Sequence, residues 1–153
     1  MTKVPSKTLQ QQFKTTNYVG LAMMASVFLY AVIVLAIDKG YIPYKAQPGA
    51  NIGTFTNIKY ILLVLAILQY FAINFFQKFS FKSVAYLPPG AIITFALCEA
   101  VSIYGLVVFF LTGKSNDFFI FMGLSLLYFY LFYPKYANWE KLLDQEYSTN
   151  QTT

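Results

Sequence analysis

The chain has 153 residues, 58% of them hydrophobic and only 11% charged, where a soluble domain carries about a quarter charged residues. All eleven basic residues are Lys against six acids, a formal charge of +5; the scattered lysines suit anionic lipid headgroups and leave no nucleic-acid footprint. His is absent and Cys98 is the single cysteine, which excludes His-based catalysis, the usual zinc sites and an intramolecular disulfide.

Residues 1–17 are polar, with Lys3, Lys7 and Lys14 and no acid, and read as a cytoplasmic N-terminal segment. The first apolar run, Tyr18 to Ile37, is too long for a signal-peptide core and lacks an Ala-x-Ala cleavage pattern, so it reads as a retained helix. Asp38, Lys39 and Gly40 end it. Tyr41 to Thr56 is expected as a loop, because Pro43 and Pro48 rule out a continuous helix; its Tyr41 and Tyr44 are typical of a membrane interface. The second span, Ile58 to Phe76, completes a first hairpin over residues 18–76. It carries two polar interruptions, Gln69 near its centre and Asn74 toward its end. Residues 77–89 connect, with Lys78, Lys82 and the Pro88-Pro89 pair, which stops a helix before it and can start one after it.

The second hairpin, residues 90–133, opens with an apolar run that ends near Gly113. A tight loop, Thr112 to Asn116, leads to Asp117, whose charge suits a helix N-terminus, and then to a short aromatic span, Phe118 to Tyr133. Residues 134–153 form a C-terminal tail. Tyr133, Tyr136 and Trp139 look like an interface belt, Trp139 to Glu146 like an amphipathic surface helix, and Ser148 to Thr153 is expected to be disordered. The expected fold is all-α, an integral membrane four-helix bundle made of two tandem helical hairpins. Lys3, Lys7, Lys14, Lys78, Lys82, Lys135 and Lys141 fall on one side and Lys39, Lys45, Lys59 and Lys114 on the other. That bias places both termini in the cytoplasm and the chain in the cytoplasmic (inner) membrane.

The third span contains one carboxylate, Glu99. At about 1.5 Å per residue the span crosses a hydrocarbon core of about 30 Å with Glu99 close to its centre. An ionisable group at that depth costs several kcal/mol and points to function, with a partner to be named. Desolvation disfavours the anion, so Glu99 is expected to rest protonated unless a cation is near. No Lys lies in the interior of a span. The expected partners are hydrogen-bonding: Ser102 at i+3 on the same face, Tyr104 at i+5 by folding back, and Gln69 at a similar depth. Thr94, Cys98, Ser102 and Gly105 form a small-residue seam that permits close helix contact.

Spans one and three align without gaps, Leu21–Val34 over Phe95–Val108. Ala22/Ala96, Val27/Val101, Tyr30/Tyr104 and Val34/Val108 are identical, and Glu99 falls opposite Ala25. The chain thus reads as a duplicated hairpin with one surviving carboxylate.

The stretch Ala96-Leu97-Cys98-Glu99-Ala100-Val101-Ser102-Ile103-Tyr104-Gly105-Leu106-Val107-Val108 resembles the carboxylate helix of the rotary ATPase ring subunit, the proteolipid or subunit c family. The resemblance implies a mid-membrane Glu that binds a transported proton or sodium ion, with a Tyr five residues on to close the site. Two tandem hairpins with one carboxylate look like the four-helix members of the vacuolar-type branch. The chain lacks that family's Gly-rich packing helix, and its motif helices come first in each hairpin rather than second. Ala100 stands where sodium-binding members place a hydroxyl, which favours the proton.

Two readings follow. In one, the chain is a proton-translocating, subunit c-like membrane subunit, with Glu99 as carrier and Tyr104, Ser102 and Gln69 as its ion-binding neighbours. In the other, it is a structural or accessory subunit of a larger membrane complex, with Glu99 as an interhelical hydrogen-bonding residue. With no His, no metal-ligand cluster and no nucleophile beside a base, neither reading includes catalysis by the chain itself, a metal or another cofactor. The expected partners are lipid and other membrane subunits or copies of the chain, with no nucleic acid.

Overall fold

A computed structural model describes residues 6–44, 52–80 and 84–151. Among them the order is α1 (Ser6–Asp38), α2 (Ile52–Ser80), a short 3-10 turn (Val84–Tyr86), α3 (Leu87–Thr112), α4 (Ser115–Phe132) and α5 (Tyr136–Gln151). Four helical stretches are long and apolar enough to cross a membrane: Thr8–Asp38, Asn57–Lys78, Val84–Thr112 and Ser115–Gln145. The all-α four-helix membrane bundle expected from the hydropathy is therefore the fold.

α1, α3 and α4 end for local reasons. α1 stops at Gly40, which takes the left-handed conformation (φ 77°), while the Tyr41 N–H turns back to the Ala36 carbonyl. α3 starts with Pro88 and Pro89 in its first turn, where no intrahelical N–H is required, and stops at Gly113 (φ 69°), whose N–H reaches the Phe109 carbonyl at 2.7 Å. α4 gives way at Tyr133, extended ahead of Pro134. Several boundaries differ from the sequence expectation: α2 runs on to Ser80, and a 3-10 turn and the first residues of α3 occupy part of the connection read at 77–89. α1 is already helical at Ser6, within the polar N-terminal segment. α2 begins at Ile52, inside the region read as loop. α5 reaches Gln151, so Ser148–Gln151 is helical where disorder was expected. Lys3, Lys45, Pro48, Lys82, Thr152 and Thr153 lie outside the described residues.

α3 is the hub, packing on α4, α1 and α2, with α1 also touching α4. Within the bundle, α3 and α4 form the tight hairpin, and α1 and α2 pack on α3 rather than chiefly on each other. Burial agrees: 44% of the most apolar window is buried in the α3 and α4 spans, against 22% and 17% in α1 and α2, which turn Leu21, Phe28, Leu29, Val64 and Phe71 outward. Gly20 and Gly105 let the contacts close. A side chain at Gly20 would overlap the Phe95 ring, and a Cβ at Gly105 would stand 2.6 Å from the Phe121 Cβ and 3.1 Å from the Phe118 carbonyl oxygen.

α1 and α3 run parallel, and the sequence repeat matches their register. Gly20 meets Phe95, Ser26 meets Glu99, and Val34 shares a cluster with Phe109. The aligned residues Val27 and Val101 are both fully buried in one cluster with Phe95, Cys98, Phe121 and Phe129.

Polar side chains fasten the middle of the bundle. Three successive α3 carbonyls each accept an extra hydrogen bond: Leu97 from Gln69 Nε2 (2.7 Å), Cys98 from Ser125 Oγ (2.7 Å) and Glu99 from Ser102 Oγ (2.8 Å). The Tyr128 hydroxyl on α4 donates to the Ala66 carbonyl of α2 at 2.9 Å. Toward the opposite face, Lys59 of α2 pairs with Asp117 in the first turn of α4 at 2.6 Å. At the N-terminal face a second core joins α5 to the rest: Trp139 and Leu143, one turn apart, bury against Leu9, Val84, Leu87 and Ala91, with Phe13 edge-on to Tyr136 and Trp139. The amphipathic tail helix thus lies on protein along its apolar stripe.

Candidate functional site at Glu99

Glu99 sits near the middle of α3, at the edge of its buried arc, where the helix meets α1. Its Oε1 is hydrogen-bonded to Ser26 Oγ and accepts from the Tyr30 hydroxyl at 2.8 Å, both on α1. Ser26 and Tyr30 are four residues apart, so one face of α1 presents both hydroxyls together. The two bonds fall on the same oxygen. Buried unpartnered side-chain atoms among the described residues are Asn17 Oδ1, Gln69 Oε1 and Trp139 Nε1, so Oε2 of Glu99 is not sealed inside the protein. The carboxyl group is half-buried in a seam, with one oxygen held and the other at the bundle surface.

Proton counting constrains this cluster. Ser26 Oγ also lies 2.6 Å from the Met23 carbonyl of its own helix. A hydroxyl has one proton to give. With Glu99 ionised, Ser26 must choose between Met23 and Glu99, and one close oxygen pair is left without a proton. With Glu99 protonated, every contact is supplied: Glu99 donates to Ser26, Ser26 donates to the Met23 carbonyl, and Tyr30 donates to Glu99. Among the described residues no Lys is ion-paired with Glu99.

The residues expected around Glu99 are placed elsewhere. Ser102 is fully buried, and its hydroxyl donates to the Glu99 backbone carbonyl, away from the carboxyl group. Gln69 is buried and spends its amide on the Leu97 carbonyl. Tyr104, about 140° round the helix from Glu99, packs at the edge of the central core instead of folding back. The partners that sequence reasoning missed, Ser26 and Tyr30, carried a signal all the same. In the repeat alignment Tyr30 is the counterpart of Tyr104 and Ser26 the counterpart of Ala100. The tyrosine at Glu99 is thus the one aligned with Tyr104, and the serine is the one aligned with the residue after the acid.

The fold and its spans define a small multi-span membrane protein. Comparison with protein-family models, with curated proteins and with solved structures returns no match.

Proposed function

We propose that this chain is a proton-exchanging membrane subunit in which Glu99 is the exchangeable acid and Ser26 and Tyr30 are its latch. The observation that carries the reading is the pairing of a held Oε1 with an unsealed Oε2 at mid-span. A residue used only as glue gains most from having both oxygens satisfied inside the bundle, because an open polar atom at that depth is costly. The oxygens stand at hydrogen-bond separations, which suits a proton as the held species. The similarity of Ala96–Val108 to the proteolipid carboxylate helix supports the same reading, and it also supports assembly with copies of itself or with other membrane subunits.

Carbodiimide labelling of the reconstituted chain tests it. A protonated, accessible carboxyl adds across the reagent, and modification confined to Glu99, lost in Glu99→Gln, is the expected result. Failure of Glu99 to react at any pH, in a folded chain, would sink the proposal. A second reading, in which the cluster only ties α1 to α3, is favoured by the same two interhelical bonds. It predicts that Glu99→Gln leaves every activity of the assembled complex intact, whereas the proton reading predicts intact assembly with proton movement abolished.

A further inference from the structure

The α1–α3 seam continues from Glu99 to the N-terminal face, and its residues change character along the way. On α1, Thr8, Gln12, Thr15, Val19, Ala22 and Ser26 recur at alternating four- and three-residue steps, which places them along one face. On α3, Pro88, Ile92, Ala96 and Glu99 follow at steps of four, four and three, again along one face. The outer end of this stripe is a groove of about 320 Å³ lined by Thr8, Gln11, Gln12, Thr15, Thr16, Pro88 and Ile92. Five of those side chains carry a hydroxyl or an amide. At about 30 Å³ per molecule the groove holds on the order of ten waters. Thr16 takes polarity inward, since it is 2% exposed and still lines the groove.

The gap between groove and acid is short. Ile92 and Glu99 are seven residues apart on α3, about 10 Å along the axis. The surface between them is formed on α1 by the half-buried Val19 and the exposed Ala22, and on α3 by the exposed Ala96. The interior alternative is blocked, because the buried Phe95 ring fills the space against Gly20 and stacks on Phe129. The outside of the seam, toward the unsealed Oε2, is thus a low-bulk course for a proton moving between Glu99 and this face.

We infer that the Thr- and Gln-bearing groove at the N-terminal end of the α1–α3 seam is the aqueous antechamber of Glu99, and that the Ala22–Ala96 stretch is its passage. This rests on the proton-exchange reading of Glu99. The transfer is balanced by water alone: the Glu99 O–H bond breaks, its proton joins a groove water to give hydronium, and the carboxylate takes a proton back by the reverse step.

Cysteine accessibility tests the passage independently of whether the proton moves. Single-cysteine variants are made in a Cys98→Ser background of the full chain, held in phosphatidylcholine nanodiscs, and exposed to a positively charged, membrane-impermeant thiosulfonate. Thr15→Cys reports the groove, and Ala22→Cys and Ala96→Cys report the passage. Leu21→Cys and Ile93→Cys are controls at equal or shallower depth on exposed faces turned away from the seam. Because the thiolate is the reacting form, a hydrated position reacts about tenfold or more faster than a lipid-covered one. The passage positions are expected to exceed both controls by that factor and to approach Thr15→Cys. Passage rates equal to the controls, with Thr15→Cys fast, would show the seam sealed by lipid and overturn the inference. Carbodiimide labelling of Glu99 reports separately on the acid, so the two failures are distinguishable.

Discussion

Glu99→Gln is the substitution whose energetics depend most directly on the state of the cluster. In the protonated arrangement three contacts are satisfied: Glu99 to Ser26, Ser26 to the Met23 carbonyl, and Tyr30 to Glu99. A glutamine amide preserves two of the three contacts with its oxygen toward α1, and all three with its nitrogen there at the cost of one unaccepted proton. With its oxygen toward α1 it accepts from Tyr30 and Ser26 and strands the Met23 contact. With its nitrogen there it donates to both hydroxyls and strands the Tyr30 proton. Interhelical hydrogen bonds in membranes average about 0.6 kcal/mol and reach about 1.7, so Glu99→Gln is expected to cost no more than about 1 kcal/mol. Glu99→Leu loses both contacts to α1 and is expected to cost about 1–3 kcal/mol on the same scale. Reversible unfolding in mixed micelles, titrated with a denaturing detergent, reads both values. An ionised Glu99 predicts something different, since its bonds would be charge-assisted at about 1.5–3 kcal/mol each against a burial penalty of several kcal/mol. A change beyond about 2 kcal/mol in either direction for Glu99→Gln would refute the proton count.

Two further predictions concern packing. Gly105→Ala sets a helix-propensity gain of about 1 kcal/mol against a Cβ only 2.6 Å from the Phe121 Cβ and 3.1 Å from the Phe118 oxygen; neither atom is the free end of a side chain, so an overpacking cost of about 1–3 kcal/mol prevails. The matched control Gly123→Ala meets nothing within 4 Å and is expected to stabilise by up to about 1 kcal/mol in the same unfolding assay. Trp139→Ala removes the largest buried side chain of the N-terminal-face core, a loss of about 3–5 kcal/mol. Limited proteolysis is expected to cut within Tyr136–Gln151 of this variant while the four spans stay protected.

The spans were legible because hydropathy reports directly on residence in a membrane, and Gly113 and Pro134 ended helices as their backbone preferences require. The helix starts were less legible. Ser6 to Asn17 is polar enough to pass for a tail, yet Leu9 and Phe13, four residues apart, are what bind it to Trp139 on α5. The depth of Glu99 was legible from its position in the run. Its partners were not, because spacing along one helix fixes which residues share a face but not which neighbour that face meets. Ser102 and Gln69 were at the right depth and went to backbone carbonyls instead. The pairing of Lys59 with Asp117 was hidden for the same reason, since the two sit 58 residues apart on helices whose mutual rotation only the assembled bundle defines. The aligned Tyr30 and Tyr104 held the missing information, because parallel helices packed near the register of that alignment bring each residue beside its counterpart's neighbours.

The two α3 carbonyls that accept from Gln69 on α2 and Ser125 on α4 settle a matter that apolar packing leaves open. Lipid tails are about as apolar as the side chains they compete with, so hydrophobicity alone does not choose which face of a helix turns inward. Each hydrogen bond does choose. Sliding α2 or α4 by one residue turns its donor by about 100° and lifts it by about 1.5 Å, beyond reach of the carbonyl at Leu97 or Cys98. Ser26 and Tyr30 impose the same demand on α1. One turn of α3 thus acts as a common datum that sets both the rotation and the height of every other span.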